Sequence, residues 1–140
     1  MASFHHTLMK CHLALQREVM AGAKKLGLTS GQPKILEYLT AHDGAEQKCI
    51  ATHCEIESAT VGNILSRMES MHLIERRRRD GNRRSIYIYL TDDGKRAAAA
   101  MERVFAAAED RALCGLTADE RAKICSCLNK IYANIAGTEV

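Results

Sequence analysis

Residues 74–90 are where this 140-residue chain changes its period. Elsewhere apolar side chains recur at steps of three and four, the spacing of amphipathic helices. Here Leu73, Ile74 and Glu75 lead into four consecutive arginines, Arg76, Arg77, Arg78 and Arg79. The turn residues Asp80-Gly81-Asn82 follow, then Arg83 and Arg84. Ser85-Ile-Tyr-Ile-Tyr-Leu90 then alternates with period two, which sets Ile86, Ile88 and Leu90 on one face and Tyr87 and Tyr89 on the other. The pattern predicts one β-hairpin with an arginine-rich tip in a mainly α chain. From Arg67 to Arg84 seven arginines stand against Glu69, Glu75 and Asp80, a local net charge of +4, while the whole chain carries only +3. Positive charge concentrated on a protruding hairpin suits a polyanion.

The residues before the hairpin read as helices. Phe4, Leu8, Cys11, Leu15, Val19 and Leu26 give one apolar face to a first helix from Phe4 to Leu26, which Gly27 can end. Thr29 or Ser30 is the expected cap of the next helix, with Gln32 and Pro33 in its first turn and Ile35, Leu36 and Leu39 buried. Asp43-Gly44 closes it. A short helix near Gln47 to Cys54 buries Ile50, Ala51 and Cys54, and a few residues later Ser58 is the expected N-cap of another, with Val61, Ile64, Leu65 and Met68 inside. After the hairpin, Thr91 caps a long helix with Met101, Val104, Phe105, Ala108 and Ala112 on its inner face and a small-residue run at Ala97–Ala100. Thr117-x-x-Glu120 is a capping box for a last helix that buries Ile124, Leu128, Ile131 and Ile135.

Two short helices joined by a tight turn and followed directly by a basic hairpin constitute a winged helix-turn-helix, here within residues 47–90. The major groove of DNA, about 12 Å wide, admits one helix, and the second helix of such a motif points its N-terminal residues at the base edges. Those residues are Ser58, Ala59, Thr60, Gly62 and Asn63, small or amide-bearing, with Ser66 and Arg67 one turn on and suited to phosphates. Arg83 and Arg84 are the candidates for entering the adjacent minor groove, where the potential is most negative. Arg76, Arg77, Arg78 and Arg79 are expected along the sugar-phosphate backbone, and Asn82 belongs with the wing. The wing lobe spans 29–91. The helices of 1–28 and 92–140 present more apolar face than one hairpin can cover, so a homodimer is expected, the whole of 1–140 forming one unit.

Other function classes leave no trace. There is no Gly-rich phosphate loop, no His-Glu-x-x-His and no serine in a nucleophile-elbow context, so no enzyme and no cofactor is expected. No stretch has the length of a membrane span, and the N-terminus lacks a secretion signal, which points to the cytoplasm. The six cysteines form no Cys-x-x-Cys pair and are expected to be reduced thiols. His5, His6, Cys11 and His12 cluster near the N-terminus, and Cys49 and His53 lie one helical turn apart, yet neither set brings converging ligands, and no metal is expected.

The chain resembles the MarR family of bacterial regulators from its first helix to its last. The most specific segments are Ile50-Ala51, Ser58-Ala-Thr-Val61, Arg67-Met-Glu69, Leu73-Ile74, Arg83-Arg84-Ser85 and Tyr89-Leu-Thr-Asp-Asp-Gly94. The resemblance implies an obligate homodimer with intertwined first and last helices, bound to a pseudo-palindromic duplex operator. It implies repression of nearby genes, relieved by a small molecule or an oxidant, and it matches Arg84 to the wing arginine of the minor groove. Some oxidant-sensing members carry a reactive cysteine in the first helix, which makes Cys11 the candidate redox residue. Alternatives to the small-molecule-released repressor are such a sensor and a winged-helix interaction module without DNA binding. Two positions depart from the family pattern. Asn82 stands where an Asp usually steadies the wing, with Asp80 as the expected substitute. Glu55 stands in the turn where Gly is frequent, and its carboxylate is expected to point away from DNA.

Overall fold

The computed structural model describes residues 1–137, so the last three residues of the 92–140 segment lie outside the described residues. The elements run α1 (Phe4–Lys25), α2 (Gln32–Ala41), β1 (Ala45–Glu46), α3 (Gln47–His53), α4 (Ser58–Ser70), β2 (Ile74–Arg79), β3 (Asn82–Leu90), α5 (Asp92–Ala112) and α6 (Ala118–Ala136). Contacts divide the chain into two compact units, Met1–Ala108 and a second that begins at Glu109.

In the first unit the predicted apolar faces converge on one core. Ile35, Leu36 and Leu39 of α2, Ile50 of α3, Val61, Leu65 and Met68 of α4, Ile74, Ile88 and Met101 are fully or almost fully buried. The expected hairpin is present, and a third strand joins it. β1 pairs antiparallel with β3, Ala45 opposite Ile88 and Glu46 opposite Tyr87, giving the order β1-β3-β2. Two residues carry no readable period, so β1 has no signature of its own in the sequence. The two faces of β3 are less distinct than its alternation suggests: Tyr87 is buried along with Ile88, while Ile86 and Leu90 are half-buried.

Three helices end in the same way. At α1 the Leu28 N–H reaches Ala23 O and the Gly27 N–H reaches Lys24 O, at α3 Ile56 reaches Ala51 and Glu55 reaches Thr52, and at α4 Leu73 reaches Met68 and His72 reaches Glu69. Each is a Schellman closure, with its penultimate residue in the left-handed region. Glycine fills that position after α1 (φ 75°), but Glu55 (φ 54°) and His72 (φ 60°) fill it after α3 and α4. A side chain there meets the following carbonyl, which costs about 1–2 kcal/mol.

Two caps differ from expectation. Gly31, with φ 85°, is the N-cap of α2, and neither Thr29 nor Ser30 caps by its side chain. The buried Gln32 instead accepts from the Thr29 N–H at 3.0 Å through its Oε1, so the amide side chain reaches backward while the chain turns on glycine. Glu57 in extended conformation is the N-cap of α4, and Ser58 is its first helical residue. Thr91 performs as predicted: its Oγ1 accepts from the Gly94 N–H at 3.0 Å and donates to His72 O at 2.6 Å. The Thr91 N–H also donates to Leu73 O. Gly94 sits so close to Leu73 that a Cβ there would lie 1.9 Å from Leu73 O. α1 passes α5 almost as closely, since a Cβ on Gly22 would fall 2.5 Å from Val104 Cγ1.

In the second unit the capping box is complete. Thr117 Oγ1 accepts from the Glu120 N–H, and Glu120 Oε2 accepts from the Thr117 N–H at 2.8 Å. Arg121 Nη2 donates to Leu113 O at 3.0 Å, closing a carbonyl at the end of α5. The expected burial of α6 is not found within the chain. None of its residues is buried, and Ile124, Leu128 and Ile135 are exposed, the last at 79%. Ala112 is exposed as well. The apolar face of α1 behaves alike, with Phe4 at 58% and Leu8 and Leu15 also exposed.

Two substitutions test this reading by urea denaturation. Gly94→Ala should lower stability by about 3 kcal/mol, because the clash is with backbone that cannot rotate away. His72→Gly should raise it by about 0.5 kcal/mol, the relief of left-handed strain less the extra freedom of an unfolded glycine.

Candidate nucleic-acid interface

α4 shows solvent the residues expected to meet bases. Ser58, Ala59, Thr60 and Asn63 are exposed, as are Ser66 and Arg67, and Gly62 is half-buried. This follows from burying Val61, Leu65 and Met68, which leaves the opposite face outward. A Cβ on Gly62 would meet only Gln47 Nε2, at 3.5 Å.

The wing is shaped by a slip in its ladder. β2 and β3 pair regularly from Ile74–Leu90 to Arg77–Tyr87, but the next pair is Arg79–Asn82. Residues 83–86 of β3 therefore oppose Arg78 alone, a bulge that throws Arg83 and Arg84 outward. Asn82 pins it. Its Oδ1 accepts from the Ser85 N–H and its Nδ2 donates to the Tyr87 hydroxyl, both at 3.3 Å. The amide thus supplies the brace expected of an aspartate, in place of Asp80, and in this position Asn82 is spent inside the wing.

The six wing arginines divide by what they touch. Arg77 pairs with Glu75 at 2.6 Å, which holds its guanidinium above its ordinary value, and lies over the Tyr89 ring at 4.5 Å. Arg79 lies over the Tyr87 ring at 3.8 Å and donates to the Tyr89 hydroxyl and to Gly44 O. Arg78 donates to Arg83 O. Arg76 is half-buried and turned onto α4, where its Nη2 donates to Ser66 Oγ at 2.7 Å and Gly62 O at 3.0 Å. Arg83 and Arg84 are exposed, and among the described residues their guanidinium groups bond to no protein group.

A cleft of about 230 Å³ brings the two halves of the surface together, lined by Glu46, Gln47 and Lys48 before and within α3, Ser58 of α4, and Arg84 and Ser85 of the wing. Glu46 pairs with Lys48 at 3.1 Å and raises the lysine's pKa, so that the first turn of α3 contributes little net charge. A second groove of about 320 Å³ is lined by other residues, Leu39, Thr40, Asp43, Leu90, Lys95 and Glu102 among them.

The remaining candidates stay apart. Cys11 and Cys49 are exposed on α1 and α3, and Cys54 is buried, burial pushing its thiol up. His53 stacks on Tyr38 with ring centres 4.4 Å apart. Among the described residues no three His, Cys, Asp or Glu gather as metal ligands. No described helix is long and apolar enough to cross a membrane.

The MarR family model matches residues 28–86, the segment from the end of α1 to the wing. The HTH-type transcriptional regulator MgrA of Staphylococcus aureus is 35% identical over 69 residues, 49% of this chain and 47% of that protein. The chain therefore spans about half the length of that relative. The HTH-type transcriptional repressor Mb2911 of Mycobacterium bovis is 27% identical over 130 residues, covering 93% of this chain and 94% of its own. Among solved structures, the transcriptional repressor CouR bound to a 23-mer DNA duplex superposes with a TM-score of 0.84 at 28% identity, over 92% of each chain. The winged helix-turn-helix and the small three-stranded sheet agree with these likenesses, and from residue 28 to residue 86 the chain is similar to the MarR family.

Proposed function

We propose that this protein is a dimeric transcriptional regulator, not an enzyme, which binds duplex DNA in the cytoplasm and represses transcription. The observation that carries the reading is the cleft that Ser58 and Arg84 share. It sets the exposed start of α4 beside the unspent Arg84, the arrangement needed to occupy a major groove and the neighbouring minor groove at once. Ser58, Ala59, Thr60, Gly62 and Asn63 face bases, with Arg67 at a phosphate. Arg83 and Arg84 enter the minor groove. Mb2911 and CouR are both named repressors, which supports the direction of control.

A second copy of the chain covers the apolar residues left exposed on α1 and on α6, so the helices of 1–28 and 92–140 serve dimerisation and 29–91 serves DNA. Exposed Phe4, Leu8 and Leu15 on one helix, and Ile124, Leu128 and Ile135 on another, are more than singly scattered surface residues. The groove between α2, the end of β3 and α5 is the place for a small-molecule effector. It offers apolar walls at Leu39, Leu90 and Ala98, with Lys95 and Glu102 as charged anchors.

Gel retardation on the DNA upstream of the protein's own gene tests the reading, and absence of a shift at low salt would remove it. Arg84→Ala should weaken binding about tenfold or more with the melting temperature unchanged; equal affinity would displace the arginine from the interface. Light scattering should give the mass of two chains at micromolar concentration. Leu15→Glu should shift the protein toward one chain, and a wild-type monomer would contradict the dimer.

A further inference from the structure

Six arginines crowd the wing, and the obvious use for all of them is DNA phosphate. Arg76 does not fit that use. It stands at the base of β2, half-buried, with Nε shut off from solvent and without a partner. Its Nη2 donates to Ser66 Oγ at 2.7 Å and to Gly62 O at 3.0 Å. Ser66 Oγ in turn donates to Gly62 O at 3.0 Å, so guanidinium, hydroxyl and carbonyl close a triangle on the back of the turn that carries Gly62 and Asn63. One residue pair away, the Arg76 N–H donates to Glu69 Oε2 at 3.2 Å. Arg76 is thus fastened to α4 through both backbone and side chain, and Ser66, another of the residues expected at a phosphate, is held in the same triangle.

We infer that Arg76 and Ser66 are positioning residues that fix the angle between the recognition helix α4 and the wing, and are not themselves phosphate ligands. The inference rests on the DNA-binding reading above. A helix in the major groove and an arginine in the next minor groove can engage together only if their separation is held to a fraction of an ångström, and rigid support of this kind is what a functional surface requires. The β2–β3 hairpin is also joined to α4 by the short connection through Met71–Leu73, by the Arg76 N–H bond to Glu69 and by the core that Ile74 and Ile88 share with Leu65 and Met68, all near the C-terminal half of the helix. The triangle adds a polar side-chain attachment that reaches up the helix to Ser66 and Gly62, and this spread of contacts along α4 holds the angle. Removing Arg76 need not unfold the protein, because Gly62 O and Ser66 Oγ keep the bond between them.

The test uses the full chain and a duplex enriched by the wild-type protein from a random-sequence library. Binding is measured against salt for wild type, Arg76→Ala, Ser66→Ala, the double variant and Arg84→Ala. A phosphate ligand, when lost, lowers the salt slope by about 1. Arg76→Ala should weaken binding about tenfold with the slope of wild type, whereas Arg84→Ala should weaken it with a lowered slope. The double variant should be no weaker than Arg76→Ala, since both changes open one triangle. Amide exchange of the free protein should quicken about tenfold at residues 76–85, with α2 and α5 unchanged. A lowered slope for Arg76→Ala, additive losses in the double variant, or unchanged exchange would each overturn the inference. If the wild-type chain enriches no duplex, the DNA-binding reading fails on its own, and the exchange result still decides whether Arg76 holds the wing to α4.

Discussion

At Leu73, Thr91 and Gly94 four parts of the chain meet within one hydrogen-bonded knot. The end of α4, the start of β2, the end of β3 and the start of α5 all pass through it. Leu73 O accepts the Thr91 N–H, His72 O accepts the Thr91 hydroxyl, and the same hydroxyl caps α5 at Gly94. Glycine is required at 94 because the carbonyl of Leu73 occupies the space of its Cβ. α4, the wing and the long helix α5 therefore have a common origin. The knot ties α5 directly to the wing, alongside the core that Ala98 and Met101 share with Ile74 and Ile88, and the groove lined by Leu90, Lys95 and Ala98 lies directly beside it. A ligand there would alter DNA binding only to the extent that it favours one placement of α5 over another.

The wing poses an electrostatic problem of its own. Six like charges on a two-stranded ribbon repel, and the strand pairing of such a ribbon is marginal in water. The chain manages the charge by using four of the six internally. Tyr87 and Tyr89 take Arg79 and Arg77 on their faces, Glu75 neutralises Arg77, and backbone carbonyls take Arg78 and part of Arg79. Arg76 is taken by α4. The bulge between Arg79–Asn82 and Arg77–Tyr87 then concentrates the remaining two charges at one place. Free guanidinium groups on a braced bulge lose less conformational freedom on binding than groups on a loose loop.

Much of this was legible in the residues, and the exceptions have physical reasons. The change of period at residue 74, the turn residues at 80–82 and the Thr117-Glu120 box are local signals, and local signals survive into the fold. β1 was invisible because two residues have no period and exist as a strand only through Ile88 and Tyr87. Gly31 displaced Thr29 and Ser30 as a cap because Gln32, buried in the core, turned back to the Thr29 amide, a choice made by tertiary packing. Composition could mark the wing as basic. It could not separate Arg76 and Arg79 from Arg83 and Arg84, since that division depends on a register slip and on where α4 passes. The apolar faces of α1 and α6 were legible as apolar, yet their large side chains stay exposed in the single chain, so a pattern that predicts burial could not say within what.

The proposed binding geometry sets α4 in a major groove and Arg83–Arg84 in the next minor groove, twice over in a twofold dimer. Footprinting on the enriched duplex tests it directly, with dimethyl sulfate reporting the major groove and hydroxyl radical the minor. Two blocks of guanine protection are expected, their centres one helical turn, roughly 34–36 Å, apart, with protected minor-groove sugars beside each. Protection of one block alone, or guanine protection without protected sugars beside it, would contradict it.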